Sequence, residues 1–258
     1  VISDDTGRKD RGTNHAPIVF AVSKGGVFDE APVPIIGIEK LNDAEAICPG
    51  PAGTYLLATS HSANRKGHER AERRMLLELA LRGRALYVLR SLDLLNAISA
   101  ARVIPEGGAD IEALAYREGS LYVGLKAPQT LQGSALILRI AEFDTSLKTG
   151  YIEPRRIERW AELPLQVMNG GVPVLQGISD MTFLAGGALA VLANSPKHLP
   201  PDGGGALWLV KQAVPPRLLR RFVGLKPEGV TPAEDGKALL IVIDHDRQQP
   251  LWLRQPFP

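Results

Sequence analysis

The chain has 258 residues, 30 basic and 28 acidic side chains, a net charge of +2 and one cysteine, Cys48. That length suits one large β domain or two small ones. The charge balance gives no electrostatic reason for nucleic acid or an anionic membrane as partner, and a single cysteine excludes an internal disulfide framework or a multi-cysteine metal site. No apolar run approaches the roughly 18 residues of a membrane-spanning helix, and none of these numbers fixes the compartment.

Val1 in place of Met, inside the strand-like VISDDTG, reads as a processed or truncated N-terminus. VISDDTG, PIVFAV and PIIGIEKL read as strands of a first unit whose own first strand is missing. A recurring unit then begins: an acidic residue, a small or apolar pair, a glycine-containing turn, an apolar run and a polar loop. It reads Glu45-Ala-Ile with TYLLATSHS, then RMLLELAL and ALYVLRSL as third and fourth strands. The stretch from Arg65 to Arg74 can form a helical turn, and LDLLNAISAA (Leu92 to Ala101) is helix-like. The second unit is Glu112-Ala-Leu with SLYVGLKAP, SALILRIAEF and RIERWAEL; the third is Asp180-Met-Thr with ALAVLANSP, GALWLVKQ and RLLRRFV. The last is Glu228-Gly-Val with ALLIVIDHD and PLWLRQPF, without a fourth strand. The acids are spaced by 67, 68 and 48 positions.

Short apolar runs bounded by glycine and proline turns indicate an all-β fold. Four strands recurring about every 50 residues indicate propeller blades. The expectation is one β-propeller domain over residues 1–258 with five or six four-stranded blades, the terminal ones incomplete. A β-sandwich also has strands at short spacing, but the tandem acid–turn–strand unit favours the propeller.

In a propeller the first strand of each blade lines a central channel, so Glu45, Glu112, Asp180 and Glu228 are expected to face a common axis. Clustered carboxylates take up protons, pair with bases or hold a hard cation such as Ca²⁺, which needs 6–8 oxygens. Asp4, Asp5, Asn194, Asp244 and Asp246, at the exits of second strands, are further oxygen donors. The competing reading is structural: a carboxylate that caps backbone N–H groups of the adjacent blade recurs for that reason alone. In the loop SHSANRKG, His61 is a candidate general base or metal ligand, and Arg65 and Lys66 candidates to hold a phosphate or carboxylate. The alternative is a solvated basic loop continued by HERAERR. Lys126, at the matching exit of the next blade, either pairs with an acid or meets an anionic ligand.

The segments DAEAI…YLLATSHSANRKG, ADIEALAYREGSLYVGLKAP, GISDMTFLAGGALAVLANSP and KPEGVTPAEDGKALLIVIDHD resemble a bacterial domain-of-unknown-function propeller family. That family is distantly related to the "esterase-like activity of phytase" group and, further off, to gluconolactonase-type propellers. The resemblance implies a β-propeller and, by remoter analogy, a divalent cation at the channel mouth, with Glu228 of PEGV among its ligands. It implies no particular reaction. Two functions follow as expectations. One is a metal-dependent, Ca²⁺-type hydrolase of phosphate esters, esters or lactones. In it Glu45, Glu112, Asp180, Glu228 and Asp244 supply ligands, Glu112 and His61 the chemistry, and Arg65, Lys66 and Lys126 steady a small anionic substrate. The other is a non-catalytic propeller that serves as a protein- or ligand-binding platform.

Overall fold

The computed structural model describes residues 2, 19–22, 27–63, 68, 70–105, 108–196, 204–244 and 251–257. The apolar runs form strands, and the Gly and Pro clusters between them form turns. In chain order the strands are β1 (Val19–Val22), β2 (Phe28–Val33), β3 (Ile35–Ile36), β4 (Ala44–Pro49), β5 (Tyr55–Thr59), β6 (Leu76–Arg82) and β7 (Ala85–Leu92). Helix α1 (Leu94–Ala101) leads to β8 (Asp110–Arg117), β9 (Ser120–Ala127) and β10 (Ala135–Ile140). Helix α2 (Phe143–Thr149) precedes β11 (Ile157–Leu163), β12 (Gln166–Asn169) and β13 (Val172–Leu175). Then come β14 (Gly177–Phe183), β15 (Leu189–Asn194), β16 (Gly205–Lys211), β17 (Val214–Phe222), β18 (Lys226–Pro232), β19 (Ala238–Asp244) and β20 (Leu251–Pro256).

Strands β4 to β7, β8 to β11, β14 to β17 and β18 to β20 each form a sheet in chain order. This repeated meander is a β-propeller, with four blades among the described residues against the five or six expected. PIIGIEKL does not start a blade of its own: Ile35 and Ile36 pair in parallel with Leu86 and Tyr87 on the outer edge of the β4–β7 sheet. PIVFAV supplies β1, which pairs with β2. Most of residues 1–18 lie outside the described residues.

By packing, the chain divides into two compact units, Val1–Val123 with Arg139–Glu158, and Gly124–Leu138 with Arg159–Pro258. In the first, Leu57 of β5, Leu77 and Leu79 of β6 and Leu86 of β7 form a core with Val19, Ile35, Leu41 and Ala44. Strand β4 packs against β8. In the second, Ala190 and Leu192 of β15 and Leu207 of β16 meet Leu239, Ile241 and Ile243 of β19. The spacing of two puts each set on one face of its strand. Second and third strands are covered on both faces, which is why LAVLAN and GALWLV are almost continuously apolar and buried. The outer strand β17, VPPRLLRRF, is exposed along most of its length.

The helix-like LDLLNAISAA folds as α1, its N-terminus capped by the Asp93 side chain, which accepts from Asn96 N at 3.0 Å. In the basic stretch after His61 the described helical part is one 3-10 turn, Ala71–Arg73. Helix α2 and the β12–β13 hairpin are additions to the sequence expectation.

Candidate functional site

In the first unit the chain leaves β5 through Ser60, His61 and Ser62. His61 takes a left-handed backbone conformation, φ 60°, and so does Asp43 just ahead of β4. The two bends are tied together: Ser60 N donates to Asp43 O at 2.9 Å, and His61 N to Arg73 O at 2.9 Å. Ile111 N of β8 donates to Ser60 O at 2.8 Å, fixing the exit of β5 against the next blade's first strand. Into this frame Arg73 brings its guanidinium. It forms an ion pair with Asp43 and donates to the hydroxyls of Ser60 and Ser62, each at 3.3 Å. The side chains of Arg73 and Asp43 are 14% and 7% exposed, so the pair holds its charges out of bulk water, where losing one partner is costly.

His61 is 3% exposed. Its Nδ1 lies 2.6 Å from Thr59 O, which fixes the proton on Nδ1 as the donor and leaves the lone pair on Nε2. Nε2 is buried, with no hydrogen-bond partner among the described residues. Burial is the main reason the imidazole pKa falls from 6.5 to about 4; the Thr59 carbonyl and the Asp93 charge oppose the shift, and the Arg74 charge adds to it. At neutral pH the ring is therefore neutral and enclosed.

In the second unit Asp180 sits on β14 and Glu228 on β18, two first strands that pack together. Asp180 Oδ2 accepts from Val230 N of β18 at 2.6 Å, and Oδ1 from Met181 N at 2.8 Å. This carboxylate caps a backbone N–H of the adjacent blade, as the structural reading of the repeated acids requires. Burial pushes its pKa up to about 8; the two backbone hydrogen bonds oppose this and the Glu228 charge adds to it. Beside it Ser179 Oγ donates to Pro227 O at 2.8 Å, and Asn194 Nδ2 to the same oxygen at 3.1 Å.

The ladder shows how the repeat aligns. Three first strands, β4, β14 and β18, carry a β-bulge, one residue opposed by none. Glu45 is that residue between the pairs Ala44↔Thr59 and Ala46↔Ala58, and Glu228 between Pro227↔Ile243 and Gly229↔Val242. In β14 the same slot, between Ile178↔Ala193 and Asp180↔Leu192, holds Ser179. Asp180 is one residue beyond the repeated acid's position, where it turns to the neighbouring backbone.

Of the other expected site residues, Glu112 on β8 is 6% exposed, Glu45 is half-buried, and Glu228 and Asp244 are exposed. Lys126 is half-buried, and its carbonyl oxygen passes so close to Gly177 that a Cβ there would lie 2.7 Å from it. Arg65, Lys66, Asp4, Asp5 and Asp246 lie outside the described residues. Among the described residues no group of three or more His, Cys, Asp or Glu side chains is placed to hold a metal ion. Asp180, expected as a Ca²⁺ ligand, accepts one backbone N–H at each of its oxygens. Sequence reading missed Asp43 and Arg73. The first was overshadowed by Glu45 two residues on, and the second was absorbed into a run of basic residues.

No family model matches the sequence, and no curated protein matches it. Among solved structures the chain is similar to an endo-arabinase from Bacteroides thetaiotaomicron, at 14% identity and a TM-score of 0.48, over 89% of this chain and 81% of that one. It is also similar to a mannose phosphorylase from Leishmania mexicana, at 11% identity and 0.37, over 86% and 65%. A third similarity is to a Thermus thermophilus oxidoreductase described as a glucose dehydrogenase, at 13% identity and 0.31, over 78% and 90%. Likenesses this distant carry no function across; the β-propeller assignment rests on the chain's own sheets.

Proposed function

We propose that this protein is a propeller hydrolase of small esters, phosphate esters or lactones, with its chemistry at the Asp180 and Glu228 carboxyl groups. One observation carries the reading: Asp180 holds its proton to about pH 8 beside the exposed Glu228, whose negative charge contributes to that retention. A carboxyl group that keeps its proton beside a second, charged carboxyl group suits acid–base hydrolysis. Asp180 retains a proton to deliver to a leaving oxygen, and Glu228 accepts one from the attacking water. Lys126, in the same unit, supplies a positive charge for an anionic substrate. The resemblance of PEGV to gluconolactonase-type propellers implies a different role for Glu228, that of a cation ligand.

The test is a screen of the wild-type protein against an aryl ester, an aryl phosphate and a lactone. Glu228→Gln should lose at least tenfold in kcat on the active class while keeping its melting temperature. Glu112→Ala and His61→Ala in the same screen test the roles expected of those residues. Melting with and without Ca²⁺ tests the cation part, since an ion bound only by the folded state raises the midpoint. Wild-type protein inactive on all three classes overturns the hydrolase reading. A second reading, the non-catalytic platform, is favoured by the Val230 N–H that Asp180 accepts from the neighbouring blade, which makes that carboxyl group a joint between blades.

A further inference from the structure

Strand β18 opens with Lys226, Pro227, Glu228, Gly229 and Val230, and the chain on both sides of Glu228 is fastened to the neighbouring blade. Ahead of it, Pro227 O accepts from Ser179 Oγ of β14 at 2.8 Å and from Asn194 Nδ2 of β15 at 3.1 Å. Beyond it, Val230 N donates to Asp180 Oδ2 at 2.6 Å. Pro227 and Val230 are buried, whereas Glu228 between them is exposed. Ser179 is the unopposed residue of the β14 bulge and Glu228 that of the β18 bulge, so the ties join two bulges across strands that pack together.

These ties supply what the strand ladder does not. Pro227 pairs with Ile243 and Gly229 with Val242, and no residue of β19 stands opposite Glu228. Cross-strand pairing therefore does not set its direction; a bulge re-aims its side chain according to how the local backbone is held. Here the backbone is held closely. The proline ring fixes φ at residue 227. Two donors on one carbonyl oxygen fix the planar peptide that joins Pro227 to Glu228. The donors are themselves held. Ser179 is buried. The Asn194 amide must present its nitrogen, because a carbonyl oxygen only accepts. That amide and the Pro227 ring both lie over Gly205, where a Cβ would overlap Asn194 Oδ1 and Pro227 Cδ. Glycine weakens a strand and marks a close approach of other groups. At Gly205 the groups that approach are the two halves of this tie.

We infer that Ser179 and Asn194 are positioning residues that aim the Glu228 carboxylate by holding Pro227 O, with Gly205 as the space that admits them. This rests on the hydrolase reading, in which Glu228 takes a proton from the attacking water. Proton transfer needs the carboxylate within hydrogen-bond reach of that water and correctly oriented, and a small misplacement lowers the rate of the step. Ser179 and Asn194 act through the Pro227 carbonyl and touch no reacting atom.

Steady-state kinetics on an aryl ester, an aryl phosphate and a lactone test this with Ser179→Ala, Asn194→Ala, their double variant, and Glu228→Gln made alone and in the double variant. Leu207→Ala, in the core of the same unit and outside these hydrogen bonds, controls for lost stability. All assays run well below each variant's melting midpoint. Either donor alone still holds the carbonyl, so each single substitution should lower kcat about threefold or less, and the double variant at least about tenfold with KM within about twofold. Glu228→Gln should remove nothing further from the double variant, and Leu207→Ala should keep the wild-type kcat. A double variant as active as the wild type, beside a Glu228→Gln that is not, overturns the positioning role and leaves the hydrolase reading standing. The positioning role is also overturned if Glu228→Gln costs as much in the double variant as in the wild type, or if Leu207→Ala is slowed as much as the double variant. A wild type inactive on all three substrates overturns both.

Discussion

Replacing His61 should change how the protein responds to acid. In the folded state the imidazole pKa lies near 4, against 6.5 for an ordinary histidine. Above pH 6.5 neither state is protonated at this ring, and it makes no pH-dependent contribution. As pH falls from 6.5 to 4 the unfolded chain takes up a proton that the folded protein refuses, so stability is lost across that window. Below 4 both states are protonated and the loss stops growing. The drop from 6.5 to about 4 corresponds to about 3 kcal/mol, most of it reached by pH 4.5. His61→Asn removes the titrating group and suits the site, since asparagine tolerates the left-handed backbone found at this position. Urea denaturation of both proteins at pH 7.0 and 4.5 provides the comparison. Carboxylates elsewhere titrate in both, so their contributions cancel. The wild type should lose about 2 kcal/mol more than His61→Asn between the two pH values. Equal losses would refute the argument, because they would mean that the ring can protonate in the folded state.

Asp180 gives the opposite slope. Its pKa is raised to about 8 from 3.8, so its contribution is intact below 3.8 and declines as pH rises to 8. Asp180→Asn should flatten the stability profile between pH 5 and 8 by a few kcal/mol, read by the same titration, while lowering stability near pH 4 through one lost backbone hydrogen bond. Leu207→Ala, which opens the core shared by β15, β16 and β19, should cost about 3 kcal/mol in chemical denaturation; a loss below 1 kcal/mol would show that the sheets close over the gap. Gly205→Ala sets a methyl group 2.3 Å from Asn194 Oδ1 and 2.4 Å from Pro227 Cδ. It should destabilise by at least about 1–2 kcal/mol and speed amide exchange in β18; unaltered β18 exchange would argue against the Asn194–Pro227 joint.

The blades were legible because their period is physical. A strand covered on both faces must be apolar throughout, so ALAVLAN and GALWLV announced themselves, and the outer strands were found by counting turns after them. The β12–β13 hairpin escaped because LQVMNGGVPVLQ has the same apolar texture as a blade strand, and its Gly170–Gly171 turn looked like another connection. The candidate site was legible in type and displaced in detail. Acids do recur on first strands, yet a β-bulge admits one residue that has no opposite number, and a sequence alignment of the units cannot show which residue that is. Glu45 and Glu228 occupy the bulge; in β14 Ser179 does, and Asp180 follows it. A shift of one position on a strand reverses the direction of the side chain. That reversal takes Asp180 from a slot it would share with Glu228 to one where it accepts Val230 N. The same carboxyl group is thereby both the joint between two blades and a group of raised proton affinity. The two roles have one cause, since the enclosure that makes the backbone hydrogen bonds worth keeping also makes the charge expensive. A substitution that separates them, keeping the acceptor oxygen and removing the proton as Asp180→Asn does, is therefore the variant from which structure and chemistry at this position can be read independently.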